Sequence, residues 1–251
     1  MTSMGIFYGI GVGPGDPDLL TVKALKILTR TSRIFAACST RNDYSLAKNI
    51  INRHLHGVEI ERMPFPMTTD REELRVAWTA NARQILEVLR EGHDAAFVTL
   101  GDPLTYSTFS YLLRTLKGIA PDVKVVTVPG ITSFHAAAAV SNTPLVEGEE
   151  SFHLISGAKG GANLKRIIET SENVVMVKTY RFFDDICQSI EDLGLMDRAV
   201  CVTRCGLEGE TVVEDLRALK GTKMPYLSLI IIKKNGAFPA ETGTYGLDRL
   251  G

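Results

Sequence analysis

The chain has 251 residues, of which 45% are hydrophobic, so it can bury the core of one large domain or of two smaller ones. Its 28 basic and 29 acidic residues give a formal net charge of -1, which argues against nucleic acid or a membrane surface as a partner. The four cysteines form no C-x-x-C pair and the five histidines are scattered, so we expect neither a disulfide framework nor a protein-bound metal.

The sequence shows no targeting or membrane-spanning segment. Residues 1–5 lack a basic stretch followed by a long apolar one, and apolar runs such as residues 227–232 are too short to cross a bilayer. We therefore expect a cytoplasmic protein.

The first predicted elements form a strand, a loop and a helix. Residues 6–8 are apolar and suit a buried strand, residues 9–17 are rich in Gly and Pro, and apolar residues recur at helical spacing after Thr21. This order places backbone N–H groups and a helix amino end against a ligand. A plain turn without ligand contact is the alternative.

The first loop does not fit the common nucleotide fingerprints. The third glycine of G-x-G-x-x-G falls on Pro14 or on Asp16, depending on the starting glycine, and no G-x-x-x-x-G-K-[ST] is present. Pro14 and Pro17 also lack the N–H groups that a phosphate cradle uses. We interpret the loop as a rigid wall against which a ligand lies.

The alternation of strands and helices continues along the first half of the chain. Later strands are predicted at residues 33–37, 58–63, 94–100 and 123–128, and helices at 44–52, 71–91, 106–116 and 134–140. This pattern favours a parallel, doubly wound sheet. The loops at residues 101–105 and 129–133 should then join the first loop at the carboxyl edge of the sheet, where ligands bind.

The pattern changes after Pro144, and we expect domains at residues 1–144 and 145–251. The second half contains predicted strands at residues 152–156, 174–178, 199–203 and 227–233, with helices at 164–169 and 181–193.

The chain resembles the tetrapyrrole (corrin/porphyrin) methylases, which are S-adenosylmethionine-dependent enzymes of corrin and sirohaem synthesis. The resemblance rests on motifs in the family's order: Gly-Val-Gly-Pro-Gly-Asp-Pro-Asp-Leu-Leu-Thr at residues 11–21, Leu-Gly-Asp-Pro at 100–103 and Val-Pro-Gly-Ile-Thr-Ser at 128–133. No single motif is specific, but their combination is.

Two segments resemble the branch that methylates C-20 of precorrin-2 or of cobalt-factor II (cobalt-sirohydrochlorin) in cobalamin biosynthesis. They are residues 101–111 and 225–234. Uroporphyrinogen methylases usually have Gly-Gly-Asp-Pro at the second loop, where this chain has Leu100 before Gly101. The alternatives are another tetrapyrrole methylase (uroporphyrinogen-III or precorrin), a diphthine or ribosomal-RNA methylase relative, and a non-catalytic carrier.

The resemblance implies a two-domain α/β fold and a homodimer. The N-terminal sheet should be largely parallel and the C-terminal sheet mixed, with the active site in the interdomain cleft. The N-terminal domain would hold the tetrapyrrole and part of the S-adenosylmethionine site, and S-adenosylhomocysteine would be the product. The implied cofactor-binding residues are Pro14, Leu100, Gly101, Asp102, Leu104, Thr132, Ser133, Lys178, Cys205, Leu227 and Ser228.

Methyl transfer from a sulfonium needs alignment more than a nucleophilic side chain. Tyr106 and His135 are candidates for assisting the departure of the C-20 proton, although packing and helix-face positions are the simpler interpretations. The substrate carries many carboxylates, so cations near strand ends are candidate substrate ligands. These are Arg41, Lys48, Lys159, Lys178, Arg181 and Arg204.

Overall fold

The computed structural model describes residues 3–38 and 46–235. The chain divides into two compact units, Met1–Ser133 and Phe134–Gly251. The domain boundary expected between residues 144 and 145 stays a prediction.

The first unit contains a parallel sheet of five strands with the order β3-β2-β4-β1-β5. This confirms the parallel sheet expected from the alternation of elements. The strands are β1 (Phe7–Gly11), β2 (Arg33–Cys38), β3 (Ile60–Pro64), β4 (Ala95–Thr99) and β5 (Val125–Val128), and the helices are α1 (Val22–Leu28), α2 (Leu46–Asn52), α3 (Arg71–Arg90) and α4 (Phe109–Ile119).

Side chains on the two faces of this sheet form separate cores. Tyr8 and Ile10 pack with Ile27 and other residues of α1 and α2. Phe7 lies on the opposite face in the core formed with α3 and α4. Successive residues of a strand point to opposite faces, so a strand covered by helices on both sides is apolar throughout.

The second unit contains a mixed sheet with the order β6-β7-β10-β8-β9, as expected for the C-terminal half. β6 is parallel to β7, whereas β10 is antiparallel to both β7 and β8. The strands are β6 (Phe152–Ser156), β7 (Asn173–Val177), β8 (Ala199–Thr203), β9 (Thr211–Val213) and β10 (Ser228–Lys233), and the helices are α6 (Leu164–Ile168) and α7 (Phe183–Asp192). Helix α5 (Ser133–Val140) begins at the last residue of the first unit.

The structure shows a later helix start and a short strand that were not expected. The helix expected from Tyr106 begins at Phe109, because residues before it form turns and Tyr106 has a left-handed backbone with a φ of +51°. Strand β9 was not expected, since three residues at a sheet edge carry too little periodicity to be recognised.

A buried lysine anchors the segment that precedes β6. Lys233 is only 3% exposed. Its Nζ donates to the carbonyl oxygen of Pro144 at 3.0 Å and to Glu147 Oε2 at 2.9 Å. Glu150 Oε2 accepts from Asn173 Nδ2 at 2.9 Å and from the Glu147 N–H at 3.0 Å. Burial of this ammonium group is therefore compensated by hydrogen bonds and by opposite charge.

Candidate functional site

The loops after β4, β1 and β5 lie side by side at one edge of the parallel sheet. The three strands are neighbours in the sheet and run in the same direction. The chain leaves β1 towards β2 on one side and leaves β4 towards β5 on the other side, so the strand order reverses between them. Such a reversal is where open α/β sheets bind ligands.

Backbone hydrogen bonds continue the pairing of β1 and β4 into their loops. The Val12 N–H donates to the Thr99 carbonyl oxygen at 3.0 Å, and the Gly101 N–H donates to the Gly13 carbonyl oxygen at 2.7 Å. Gly13 and Gly101 have φ angles of +85° and +67°, which glycine adopts without a steric penalty. These two glycines let both loops turn at the same level.

The loop after β5 approaches the other two as closely as backbone atoms permit. A Cβ atom on Gly130 would lie 2.2 Å from the Gly101 carbonyl oxygen, and one on Gly11 would lie 2.4 Å from the same oxygen. Glycine at these positions therefore allows direct contact of backbone with backbone. The structure thus brings the three sequence-predicted loops together in the first unit.

Asp102 links the loop after β4 to the loop after β5. Its Oδ2 accepts from the Gly130 N–H at 3.2 Å. Its Oδ1 accepts from the Leu104 N–H at 2.9 Å and lies 3.4 Å from Thr105 Oγ1. From the sequence, Asp102 was placed among the implied cofactor-binding residues, and none of its partners in the protein was predicted. A Gly-Asp-Pro motif carries no signal for a contact 28 residues away.

His54 holds the far side of the first loop and was not singled out from the sequence. Its Nε2 lies 2.8 Å from the Pro17 carbonyl oxygen. Pro17 begins a short 3-10 helix, Pro17–Leu19, that Asp16 caps by accepting from the Asp18 N–H at 2.9 Å. Thr21 caps α1 in the same way through the Ala24 N–H at 3.2 Å. The loop is therefore fixed by the helix caps at Asp16 and Thr21 and by the imidazole of His54, which is distant only in sequence.

Several residues of the segment 101–111, which resembles the C-20 branch, make contacts within the protein. Ser107 Oγ donates to Thr99 Oγ1 at 3.0 Å and accepts from the Phe109 N–H at 3.1 Å. The Tyr111 ring stacks on Trp78, with centroids 4.5 Å apart and an angle of 9° between the planes. Tyr106 differs, since it is 53% exposed at the end of the loop after β4.

Predicted site residues also meet at one edge of the sheet in the second unit. Lys178 follows β7 and Arg204 follows β8, with left-handed φ angles of +59° and +51°. Because β10 is antiparallel to both strands, its first residue, Ser228, lies at the same edge. The Arg204 N–H donates to the Leu227 carbonyl oxygen at 2.7 Å, and the buried Cys205 comes next in the chain.

Thr179 is a second residue that the sequence interpretation missed. It follows Lys178, is fully buried, and among the described residues its Oγ1 has no hydrogen-bond partner. A buried hydroxyl without a partner is rare in native proteins.

The remaining candidates are spread over the chain. His135 is exposed on α5, with its ring centroid 4.6 Å from that of Phe134, and Thr132 and Ser133 lie at the start of the same helix. Arg181 lies over the Tyr180 ring at 5.6 Å. Lys159 is exposed after β6, Lys48 belongs to α2, and Arg41 lies outside the described residues.

The thiols of Cys187 and Cys201, buried in the second unit, are poor nucleophiles. Burial raises the pKa of Cys187 to about 12 and that of Cys201 to about 12, so both remain protonated at neutral pH. Within residues 3–38 and 46–235, no three His, Cys, Asp or Glu side chains are grouped so as to hold a metal ion. No helix in that part of the chain is long and apolar enough to cross a membrane.

Curated relatives share most of their length with this chain. A protein of Methanocaldococcus jannaschii named as a probable cobalt-precorrin-2 C(20)-methyltransferase is 36% identical over 232 residues, covering 90% of this chain and 95% of that protein. The cobalt-precorrin-2 C(20)-methyltransferase of Salmonella typhimurium is 30% identical over 232 residues, covering 92% of this chain and 97% of that protein.

Solved structures support the fold. A cobalt precorrin-4 methyltransferase has a TM-score of 0.69 at 22% identity and covers 90% of this chain and 94% of its own. A uroporphyrin-III C-methyltransferase from Thermus thermophilus, complexed with S-adenosylhomocysteine, has a TM-score of 0.62 at 23% identity and covers 90% of this chain and 97% of its own. The sequence model of the family Tetrapyrrole (Corrin/Porphyrin) Methylases matches residues 7–219, and the chain belongs to that family.

Proposed function

We propose that this protein is an S-adenosylmethionine-dependent C-methyltransferase that methylates C-20 of precorrin-2 or of cobalt-factor II in cobalamin biosynthesis. The observation that supports this choice of substrate is the sequence identity of 36%, over 90% of the chain, to a relative named for C-20 methylation of cobalt-precorrin-2. The segments at residues 101–111 and 225–234 resemble the same branch.

The junction of the three loops fits a nucleoside-like methyl donor. The space on the open side of Gly101 is clear, because a Cβ atom there would meet nothing nearer than 4.0 Å. A ligand can therefore lie directly against its backbone. We assign the cofactor contacts of the first unit to this region, with these residues: Pro14, Leu100, Gly101, Leu104, Thr132 and Ser133. Asp102 lies in the same loops. We propose the same role for four strand-end residues of the second unit, Lys178, Cys205, Leu227 and Ser228.

S-adenosylmethionine, when bound, supplies an electrophilic methyl group on a sulfonium. The residues of the chain contribute by orientation, since the C-20 position of a reduced tetrapyrrole is itself electron-rich. The hydrogen bond between Gly101 and Gly13 and the ring of Pro14 make the cofactor wall rigid. A rigid wall keeps the reacting atoms aligned and so lowers the entropic part of the barrier.

Two further roles are part of the proposal. Tyr106 and His135, both exposed, are candidates to assist the departure of the C-20 proton after methyl transfer. The cations Lys159, Arg181 and Arg204 of the second unit, with Lys48 and Arg41, are candidates to bind the substrate carboxylates. We also propose that the protein works as a homodimer, as the resemblance implies, and that it is cytoplasmic.

A product assay tests the proposed reaction. The protein and S-adenosylmethionine are incubated separately with sirohydrochlorin, with its cobalt complex and with uroporphyrinogen, and the products are analysed by mass spectrometry. We expect the gain of a single methyl group on sirohydrochlorin or its cobalt complex, together with release of S-adenosylhomocysteine. Methylation of uroporphyrinogen alone would contradict the assignment to C-20, and the absence of S-adenosylhomocysteine would favour a carrier.

A further inference from the structure

One side chain, that of Asp102, connects the loops at the candidate cofactor site. Its two carboxylate oxygens accept from the backbone N–H groups of Leu104 and Gly130, at 2.9 Å and 3.2 Å. Thr105 Oγ1 lies 3.4 Å from the first oxygen. A carboxylate offers about four lone-pair positions, so donors from the protein occupy most of them.

The position of Asp102 lets it act on all three loops. The N–H of the preceding residue, Gly101, donates to the Gly13 carbonyl oxygen in the loop after β1 at 2.7 Å. In the loop after β5, the Gly130 N–H donates to the side chain of Asp102 itself. A substitution of this residue should therefore change how the backbones of the three loops are positioned relative to one another.

We propose that Asp102 is a positioning residue for the methyl donor. Its carboxylate fixes the loop at residues 129–132 against Gly101, and it acts through these loops without direct contact with the positive sulfonium. This inference rests on the proposed function, because it assumes that the junction holds S-adenosylmethionine. It changes the role expected from the sequence, in which the carboxylate itself binds the ligand.

Contact with the sulfonium and positioning of the loops differ in their effect on charge discrimination. S-adenosylmethionine carries a positive sulfonium, whereas S-adenosylhomocysteine carries a neutral thioether. A carboxylate in contact with the sulfonium favours the charged ligand by Coulomb attraction. A carboxylate that only positions the loops supports both ligands to the same extent.

The test compares the affinities of both ligands by titration calorimetry for the wild type, Asp102→Asn and Asp102→Ala. We expect each substitution to lower the affinities for S-adenosylmethionine and for S-adenosylhomocysteine by the same factor. That factor should be about 10-fold to 100-fold, as for the loss of hydrogen bonds to a charged group. Asp122→Asn is the matched control, because Asp122 is exposed before β5 at the opposite end of the strand. It should bind like the wild type. A selective loss of affinity for S-adenosylmethionine, or unchanged affinity for both ligands, would overturn the proposal.

A measurement without ligand separates this proposal from the proposed function. Amide hydrogen exchange of the free protein should be faster at Gly130 in Asp102→Asn than in the wild type, because the N–H loses its carboxylate acceptor. Unchanged exchange at Gly130 would contradict the link between the loops. Failure of the wild type to bind either ligand would contradict the proposed function, while the exchange data would still decide the role of Asp102 in the junction.

Discussion

Gly9 lies beneath the aromatic ring of Phe109, and a Cβ atom at this position would come within 2.0 Å of the tip of that ring. Gly11, two residues later, instead faces the backbone of Gly101 and Gly130. Gly13 provides the left-handed turn. Glycines that look alike in the sequence therefore serve core packing, contact between loops and chain reversal.

We predict that Gly9→Ala destabilises the protein by about 1–3 kcal/mol, the usual cost of overpacking a core. The ring of Phe109 is held by Phe7 and Phe97 and cannot move freely. Chemical denaturation followed by circular dichroism measures the effect.

Gly118→Ala provides a matched control for this prediction. Gly118 lies within α4, and a Cβ atom there would meet nothing within 4 Å. We expect this variant to be as stable as the wild type or more stable, since Ala favours a helix over Gly by about 0.5–1 kcal/mol. Equal losses in both variants would show that contact with Phe109 is not the cause.

The sequence predicted that the three loops lie together but not which contacts individual side chains make there. The Gly and Pro residues of the loops after β1, β4 and β5 allowed these loops to be predicted, because both residue types favour turns through their own backbone conformations. The contacts of Asp102 with Gly130 and of His54 with Pro17 join residues 28 and 37 positions apart. Such contacts depend on the packing of whole elements and leave no trace in local spacing.

At the scale of elements, one strand agrees with its predicted bounds and one helix start does not. β8 occupies the predicted residues 199–203, because five apolar or β-branched residues in a buried strand leave little ambiguity. Helix α4 begins later than predicted, since the apolar spacing does not register the left-handed backbone at Tyr106. The turn residues between β4 and α4 therefore belong to the loop after β4 and not to the helix.

The segment before β6 should lose part of its stabilisation in acid. Hydrogen bonds from Asn173 and from the Glu147 N–H, with the nearby charge of Lys233, hold the pKa of Glu150 below its ordinary value. The stabilisation is therefore complete above the ordinary Glu pKa of about 4.3 and is lost as the pH falls through the lower value of the folded state. The difference in unfolding free energy between wild type and Glu150→Gln should shrink on acidification below that value.

Urea denaturation at a series of pH values measures this difference. Glu149→Gln serves as the control, because Glu149 is the exposed neighbour of Glu150 and should show no such change. A difference between wild type and Glu150→Gln that stays constant in acid would show that ionisation of Glu150 does not stabilise this segment.

At the scale of the molecule, the two units combine different kinds of sheet. The first is wholly parallel, with its connections made by helices, and the second contains antiparallel pairs around β10. The sequence pattern predicted the parallel sheet, because continuous apolar strands alternating with helices are typical of one. The mixed sheet was implied by the family resemblance. Strand order, by contrast, depends on crossover directions that no local pattern records.

The oligomeric state is a property of the whole molecule, and we predict a homodimer. Size-exclusion chromatography with light scattering should give a mass twice that of one chain, at concentrations well above a micromolar. The mass should not change when S-adenosylhomocysteine is added, if the dimer forms independently of the cofactor. A monomer mass over the whole concentration range would contradict the proposed assembly.

The central place of β10 in the second sheet has a consequence for synthesis on the ribosome. β10 lies between β7 and β8, although it is the last strand of the sheet to be translated. Until residues 228–233 emerge, β6 with β7 and β8 with β9 remain separate pairs that lack their common partner. The first unit has all its strands by residue 128 and can fold while translation continues. Its loops at the carboxyl edge are therefore complete before the second sheet can close.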